Sequence, residues 1–335
     1  MTSEPLSLPE DLRDGDDLLQ ELQTIYGMER AAAIVAQLGQ PSRYAFWVNP
    51  LHADSMAMQA LQALPHEPGD GLFAALDLEP VGAAVVPALP GVWSVPRTVH
   101  LTATAAAENG DIYIQNPSSL LAVRALDPQP HEEVLDLAAA PGGKTAAMAA
   151  LMENTGRIAA VEPVKARFFR MQANLARCGV NNVDFYQKDG RGVGRLVPQR
   201  FARVLLDAPC SSEARMRWYD PSSYVHWSKR KVRETQRKQK RLLQSAYLAL
   251  QPGGRLVYCM CSFSVAENEW VVDHLLKNSD ASLEPVSLTL PPYAAGLTEW
   301  QGRRMSPQLS RAVRILPDSV WDGFFLAVLS KPGAC

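Results

Sequence analysis

Cysteine is scarce in this sequence: five in 335 residues, at positions 178, 210, 259, 261 and 335. An odd, sparse set of this kind excludes a disulfide framework and points to a reducing compartment. An excess of either charge is also missing, since 33 Lys and Arg face 35 Asp and Glu, for a formal net charge of -2. No global field gathers nucleic acid, so any basic surface has to be local. No window approaches the roughly 18 apolar residues of a membrane span. The opening stretch MTSEPLSLPEDLRDGDD is acidic and lacks the apolar centre of a secretory signal. Periods of roughly 20–50 residues are missing too, which excludes repeat architectures. We therefore expect a soluble, cytoplasmic chain without a membrane partner, working as a monomer.

What is present is ordinary globular material, 47% hydrophobic and 20% charged, enough for a sizeable core. The length fits two domains, or one with an extension. Residues 1 to about 65 read as mostly helical. Leu18, Leu19, Leu22 and Ile25 fall at helical spacing, and Gly27 is a break. AFWVNPL (45–51) reads as a short strand, followed by a helix that begins near Asp54 and Ser55. A Gly- and Pro-rich stretch over 66–100 fits a small α+β unit or linker. From about residue 110, apolar strand-like runs (EEVLDLA, RIAAVE, VDFYQKD, ARVLLDA, GRLVYCMC) alternate with helical segments. GFFLAVLSK reads as a last strand. The alternation predicts a doubly wound, mostly parallel sheet in an α/β fold.

VLDLAAAPGGKT (134–145) is strand, small residues, then helix. Small residues let a backbone approach a ligand, and a helix N-terminus offers free N–H groups. A phosphate-binding P-loop needs a first glycine where Ala138 stands, so an NTPase is disfavoured. Glu162 follows the next strand, Asp189 the third and Asp207 the fourth. Three acids at successive strand ends point at the crevice where such sheets bind ligands, and Glu162 is placed for ribose hydroxyls. A second phosphate-binding feature is missing, so S-adenosylmethionine fits better than a dinucleotide.

LLDAPCSSE (205–213) puts Asp207 and Cys210 in one loop, and Cys261 follows the fifth strand. Neighbouring strand ends lie about 5 Å apart, so the two loops are expected to face each other. On the strand we read the pair Cys259–Cys261 as parting to opposite faces, which excludes a disulfide between them. No His or Cys pair completes a four-ligand set, so no metal is expected. Cys178 and Cys259 read as buried small hydrophobes.

DLAAAPGGKT, LLDAPCSSE and YCMCSFSVAENE together resemble the NOL1/NOP2/Sun family of RNA cytosine-5 methyltransferases. The likeness runs from YIQNPSSLLAVRALDPQP (113–130) to DGFFLAVL (322–329), and RYAFWVNPL is similar to the family's N-terminal motif. The resemblance implies a class I methyltransferase fold with a seven-stranded sheet over 106–335, and an N-terminal RNA-binding region over 1–105. It implies S-adenosyl-L-methionine held by Ala138, Ala139, Ala140, Pro141, Gly142, Gly143, Lys144, Glu162, Asp189 and Asp207. It assigns the nucleophile to Cys261 and the later steps to Cys210, with Asp207 on the base and Lys144 favouring the Cys261 thiolate. Covalent attack is chemically apt, because cytosine C5 becomes nucleophilic only after a group adds at C6.

The sequence departs from the family pattern in places. Met260 replaces the threonine before the nucleophile, which takes away a hydroxyl expected near the sulfur, and Cys259 is additional. Trp47 and His52 stand where the family often carries Arg and Lys. ILPDSVWDGFF lacks the family's His after Pro317.

Between the cysteine motifs, WSKRKVRETQRKQKR (227–241) holds eight Lys or Arg against one acid. With Arg215, Arg217, Trp218, Tyr219 and Trp227 it mixes cations with stacking surfaces, as single-stranded RNA binding requires. We expect it to wall an RNA groove, with ribosomal RNA the favoured substrate over transfer RNA. The sequence stops soon after its last strand, so no further RNA-binding domain is expected at that end. The rivals are a DNA cytosine-5 methyltransferase, with Cys210 as attacker, and a non-catalytic RNA-binding or ribosome-assembly factor.

Overall fold

The structure, a computed structural model, describes residues 8–63, 72–73, 76, 83–86, 88–89 and 91–333. Cys335 and most of the Gly- and Pro-rich stretch between 64 and 90 lie outside these residues. The N-terminal helix Gly15–Leu38 buries Leu18 and Leu22, and at Gly27 (φ 78°, ψ 165°) it breaks and resumes. Strands β1 (Tyr44–Val48), β2 (Ala84–Val85), β3 (Val92–Val95) and β4 (Ile112–Ile114) form a small antiparallel sheet in the order β2-β3-β1-β4. The helix Met56–Ala63 opens with Ser55 Oγ accepting from Met58 N at 3.2 Å, as the sequence predicts.

The large sheet begins with β5 (Glu133–Asp136), β6 (Arg157–Val161), β7 (Val183–Tyr186), β8 (Phe201–Asp207) and β9 (Leu250–Met260). It continues with β10 (Ser282–Glu284) and β11 (Tyr293–Ala295). Beyond the small hairpin β12 (Glu299–Trp300) and β13 (Arg303–Arg304), it closes with β14 (Val313–Ile315) and β15 (Phe324–Ser330). The order is β11-β14-β15-β9-β8-β5-β6-β7, with β10 also on β15. β5 to β9 pair in parallel, and β15 runs against β9. The sheet therefore has nine strands among the described residues, not the expected seven. The additions are three-residue segments, too short to show a periodicity. They form because β14 and β15 offer open ladder edges.

Buried strands alternate between two core layers. Leu205, Val257 and Cys259 pack with the helices Pro117–Leu126, Gly143–Leu151 and Lys165–Arg177. Val204, Leu206, Leu256, Tyr258 and Met260 pack with Lys229–Ala249 and Glu269–Lys277. Cys259 and Cys261 therefore share a layer, and Met260 points the other way. This corrects the expectation that the two thiols part: side chains alternate with a period of two, so residues two apart lie on one face. It also places the side chain at 260 away from the Cys261 sulfur, so the missing threonine hydroxyl leaves that face of the thiol unchanged.

The small sheet is pinned to the large one through Asn49, fully buried, whose Nδ2 donates to Gly110 O and Cys178 O, each at 2.9 Å. Gly110 has φ +85°, and a Cβ there would lie 2.3 Å from Arg177 O. Gly110→Ala is expected to cost at least about 1–3 kcal/mol, read as a lowered midpoint in chemical unfolding.

Candidate active site

A cleft of about 800 Å³ opens at the carboxyl ends of the parallel strands, at the paired neighbours β5 and β8 between which the strand order reverses. At one end, Leu137 N donates to Leu205 O at 3.0 Å and Ala139 N to Val161 O at 2.9 Å, so the small-residue loop is stitched to both neighbouring strands. Gly142 takes φ 106°, which favours glycine, and starts the helix Gly143–Leu151. Ala138, Ala139, Ala140, Pro141 and Gly143 all line the cleft. Across from them Glu162 is buried, with Oε1 accepting from Val164 N at 2.8 Å. Asp189 reaches the rim, three residues beyond the end of β7. It caps the turn Gly190–Gly192, and Arg191 holds it below the usual carboxylate range.

Asp136, which the sequence reading passed over, lines the same end. Burial pushes its carboxyl up to about 6. Oδ2 accepts from Thr145 Oγ1 at 2.7 Å, while Oδ1 is buried without a partner. An unpartnered acceptor, a loop of small side chains and a ring of acids fit a nucleoside carrying a positive charge.

At the other end the two cysteine loops meet. Asp207 and Cys259 are ladder partners in β8 and β9, so each chain leaves the sheet at the same height. Cys210 Sγ and Cys261 Sγ lie 3.5 Å apart. Cys210 is half-buried and Cys261 buried, and both line the cleft. The hydrogen bond from Cys210, helped by the Arg215 guanidinium, brings the Cys261 thiol down to about 7 against the cost of its burial. Donating that bond, and its own burial, hold Cys210 far above the ordinary thiol range. The surroundings thus favour the thiolate at Cys261, with Cys210 as its donor. Burial keeps Cys259 a neutral thiol.

Between the two ends, Lys144 Nζ pairs with Asp207 Oδ2 at 2.5 Å and donates to Ser119 Oγ at 3.2 Å. Burial disfavours its ammonium, but Asp207 outweighs that and holds Lys144 above the ordinary lysine range. Lys144 is thus committed to Asp207, and Arg215 is the cation that favours the Cys261 thiolate. Sequence reasoning put Arg215 with the RNA surface. No short motif marks its true place, because its neighbours come from two loops.

The basic segment forms the first half of the helix Lys229–Ala249, capped by Ser228 Oγ accepting from Lys231 N at 3.2 Å. Lys231, Thr235 and Lys238, one face at helical spacing, line the cleft. Lys229 pairs with Asp17 at 2.5 Å and Arg230 with Glu234 at 3.0 Å. The aromatic residues differ from expectation. Trp227 is buried and donates to Glu213 Oε1 at 2.9 Å, and Trp218 Nε1 donates to Val35 O at 2.8 Å. Only Tyr219 of the three is exposed. An indole N–H needs an acceptor once its ring packs, and both found one inside the protein. Trp47 is likewise buried, stacked on Tyr113 at 5.7 Å, and His52 Nδ1 lies 2.9 Å from Asp111. Neither replaces the family's Arg and Lys as an exposed cation. Among the described residues, no group of three His, Cys, Asp or Glu could hold a metal ion, and no helix is long and apolar enough to cross a membrane.

The sequence profile of the family described as 16S rRNA methyltransferase RsmB/F matches residues 123–330. The tRNA (cytosine(49)-C(5))-methyltransferase of Pyrococcus abyssi is 43% identical over 224 residues, covering 67% of this chain and 71% of that protein. The ribosomal RNA small subunit methyltransferase F of Cronobacter sakazakii is 40% identical over 235 residues, 69% of this chain and 47% of its own length. A 28S rRNA (cytosine-C(5))-methyltransferase of Mus musculus is 41% identical over 239 residues, 70% and 30%. The chain thus spans less than half the length of these two ribosomal relatives.

Among solved structures, a methyltransferase homolog from Pyrococcus horikoshii superposes with a TM-score of 0.75 at 31% identity, over 97% of this chain and 100% of that one. The NSun6 protein of the same organism, solved with SFG, gives 0.74 over 98% and 99%; at 22% identity it shows the fold alone. The family uses S-adenosyl-L-methionine, the kind of ligand that the small-residue loop and acids fit. A profile match across most of the chain, and relatives named for the same chemistry on RNA, lead to one conclusion: this chain belongs to the RsmB/F-type family of RNA cytosine-C5 methyltransferases.

Proposed function

We propose that this chain methylates C5 of a cytosine in structured RNA, ribosomal RNA first, through a transient bond between Cys261 and cytosine C6. The observation that carries the reading is the thiol pair 3.5 Å apart in the same cleft as the small-residue loop, with Lys144 and Asp207 between them. The cofactor, held by 138–144, Asp136, Glu162, Asp189 and Asp207, supplies an electrophilic methyl group on a sulfonium.

The Cys261 thiolate adds to C6, and the ring electrons move to C5, which would take the methyl group as its bond to the sulfonium breaks and the electron pair stays on sulfur, leaving a neutral thioether. A base then removes the C5 proton, the electron pair restores the C5–C6 double bond, and Cys261 leaves as thiolate. Cys210, touching Cys261, serves this second half. Asp207 takes a hydrogen bond from the N3–N4 edge of the base and steadies the adduct, while the Lys144 ion pair holds its carboxylate in place. The target base enters by leaving its stack, at a cost of a few kcal/mol that is least in a loop or bulge. Lys231 and Lys238 lie where the flanking phosphates pass.

Transfer of labelled methyl groups to total RNA, with bisulfite sequencing of RNA from cells with and without the protein, tests the reading. No new 5-methylcytosine in RNA would overturn it, and a non-catalytic RNA-binding factor would then stand. A transfer-RNA substrate is the second reading, because a relative matched over 71% of its own length is named as a tRNA enzyme.

With the Cys261 thiol of the free protein near 7, kcat/KM for RNA is expected to rise with unit slope below pH 7 and to level off about one unit above it. Charge reversal at Arg230, Lys231 and Arg233 is expected to weaken RNA binding. It should also flatten the salt dependence by about 0.7 log unit for each phosphate that is no longer neutralised. An unchanged slope would remove this helix from the RNA path.

A further inference from the structure

One buried carboxylate sits where the cysteine loops meet and has no part in the chemistry described so far. Glu267 has no solvent exposure. Its carboxylate accepts from Ser211 N at 3.1 and 3.2 Å, from the Ser211 hydroxyl, and from Ser262 Oγ at 2.8 Å. Ser211 follows Cys210, and Ser262 follows Cys261. A further donor, Gln239 Nε2 at 3.0 Å, comes from the basic helix, and the same nitrogen donates to Pro209 O at 2.9 Å, just before Cys210. Glu267 is itself held by its backbone: its carbonyl accepts from Tyr258 Oη at 2.7 Å, and its N–H donates to Ser264 O at 3.2 Å.

A buried carboxylate is costly, and removing its partners leaves the whole desolvation penalty. Here every donor belongs to the cysteine loops or to the helix lining the cleft. The carboxylate is therefore a common post for segments 56 and 28 residues away in sequence. Ala214 N, donating to Cys261 O at 3.3 Å, ties the same two loops in parallel.

We propose that Glu267 is the positioning residue of the cysteine pair: by holding the residue after each thiol on one carboxylate, it fixes the two sulfurs at hydrogen-bonding distance. Glu267 does not touch the reacting atoms and positions them through Ser211, Ser262 and Gln239. The inference rests on Cys261 as the attacking group, but its test does not need methyl transfer.

The test is the pH dependence of Cys261 alkylation by iodoacetamide in the full chain without RNA, read by peptide mass spectrometry. The wild-type midpoint is expected near 7, because Cys210 donates to the Cys261 thiolate. Burial, with Glu213 beside it, pushes the Glu267 carboxyl up to about 7, so it titrates in the same range; Glu267→Asp keeps a titrating carboxyl facing Glu213, Cys210 and Tyr258 while shortening the reach by one methylene. Arg215 and Asp207, the charges on the other side of Cys261, are unchanged.

With Cys210 no longer held, the midpoint is expected to rise by about one unit. The turnover rate should fall about 10–100-fold with KM for RNA unchanged. A folded variant with the wild-type midpoint overturns the proposal. Should Glu267→Asp fail to fold, Ser262→Ala removes one arm on the Cys261 side. The same rise is expected there, and an unchanged midpoint again overturns it. A shifted midpoint in a protein that methylates no RNA would uphold the positioning role and reject the proposed function.

Discussion

Cys261→Ala is expected to abolish methyl transfer and to leave no covalent complex with 5-azacytidine-containing RNA. Cys210→Ala is expected to stop turnover while the protein–RNA adduct accumulates. The difference comes from the geometry. Only one sulfur of a hydrogen-bonded pair can be the thiolate, and Arg215 lies on the Cys261 side while Glu267 lies on the Cys210 side. Removing the attacker costs the whole covalent route, several orders of magnitude. Removing its neighbour costs the exit from the adduct. Gel mobility under denaturing conditions reads both results. Trapping that survives Cys261→Ala and vanishes with Cys210→Ala would exchange the two roles and favour the DNA-type assignment.

Arg314→Met is expected to be the most destabilising single change outside the cleft, by about 3–5 kcal/mol in chemical unfolding. Arg314 and Glu269 are a wholly buried pair. The guanidinium donates to both Glu269 oxygens, to Phe263 O at 2.9 Å and to Tyr26 Oη at 3.2 Å. It joins β14 to the helix Glu269–Lys277, to the stretch just after Cys261, and to the N-terminal helix. Its removal leaves a carboxylate buried with only Leu297 N, at 3.0 Å, still donating. Glu269→Gln added to Arg314→Met is expected to recover part of the loss, because a neutral amide costs less to bury than a lone charge. A single variant as stable as the parent would show that water reaches Glu269.

The strand and helix pattern after residue 110 was readable because buried parallel strands are short apolar runs and their helices have a period of their own. The positions of Ala138 to Pro141, Gly143, Glu162, Asp207, Cys210 and Cys261 around one cleft were readable for a related reason, while Gly142 is buried beneath it. In a doubly wound sheet, the carboxyl ends of the parallel strands come to one edge. The two short strands β10 and β11 were not readable, since three residues show no alternation and pair only because a neighbour offers its edge.

The amino-acid sequence by itself therefore determined the class of fold, the family and the loops that carry the chemistry, all properties of contiguous segments. The tertiary structure decided which side chains meet. It turned Trp227 inward onto Glu213 instead of outward to RNA. It engaged Lys144 with Asp207 and left Arg215 to bias Cys261. It also gathered Ser211, Ser262 and Gln239 on Glu267. Those pairings depend on the register of β8 against β9 and on how each loop leaves its strand. Local propensity and spacing describe one segment at a time and contain neither quantity.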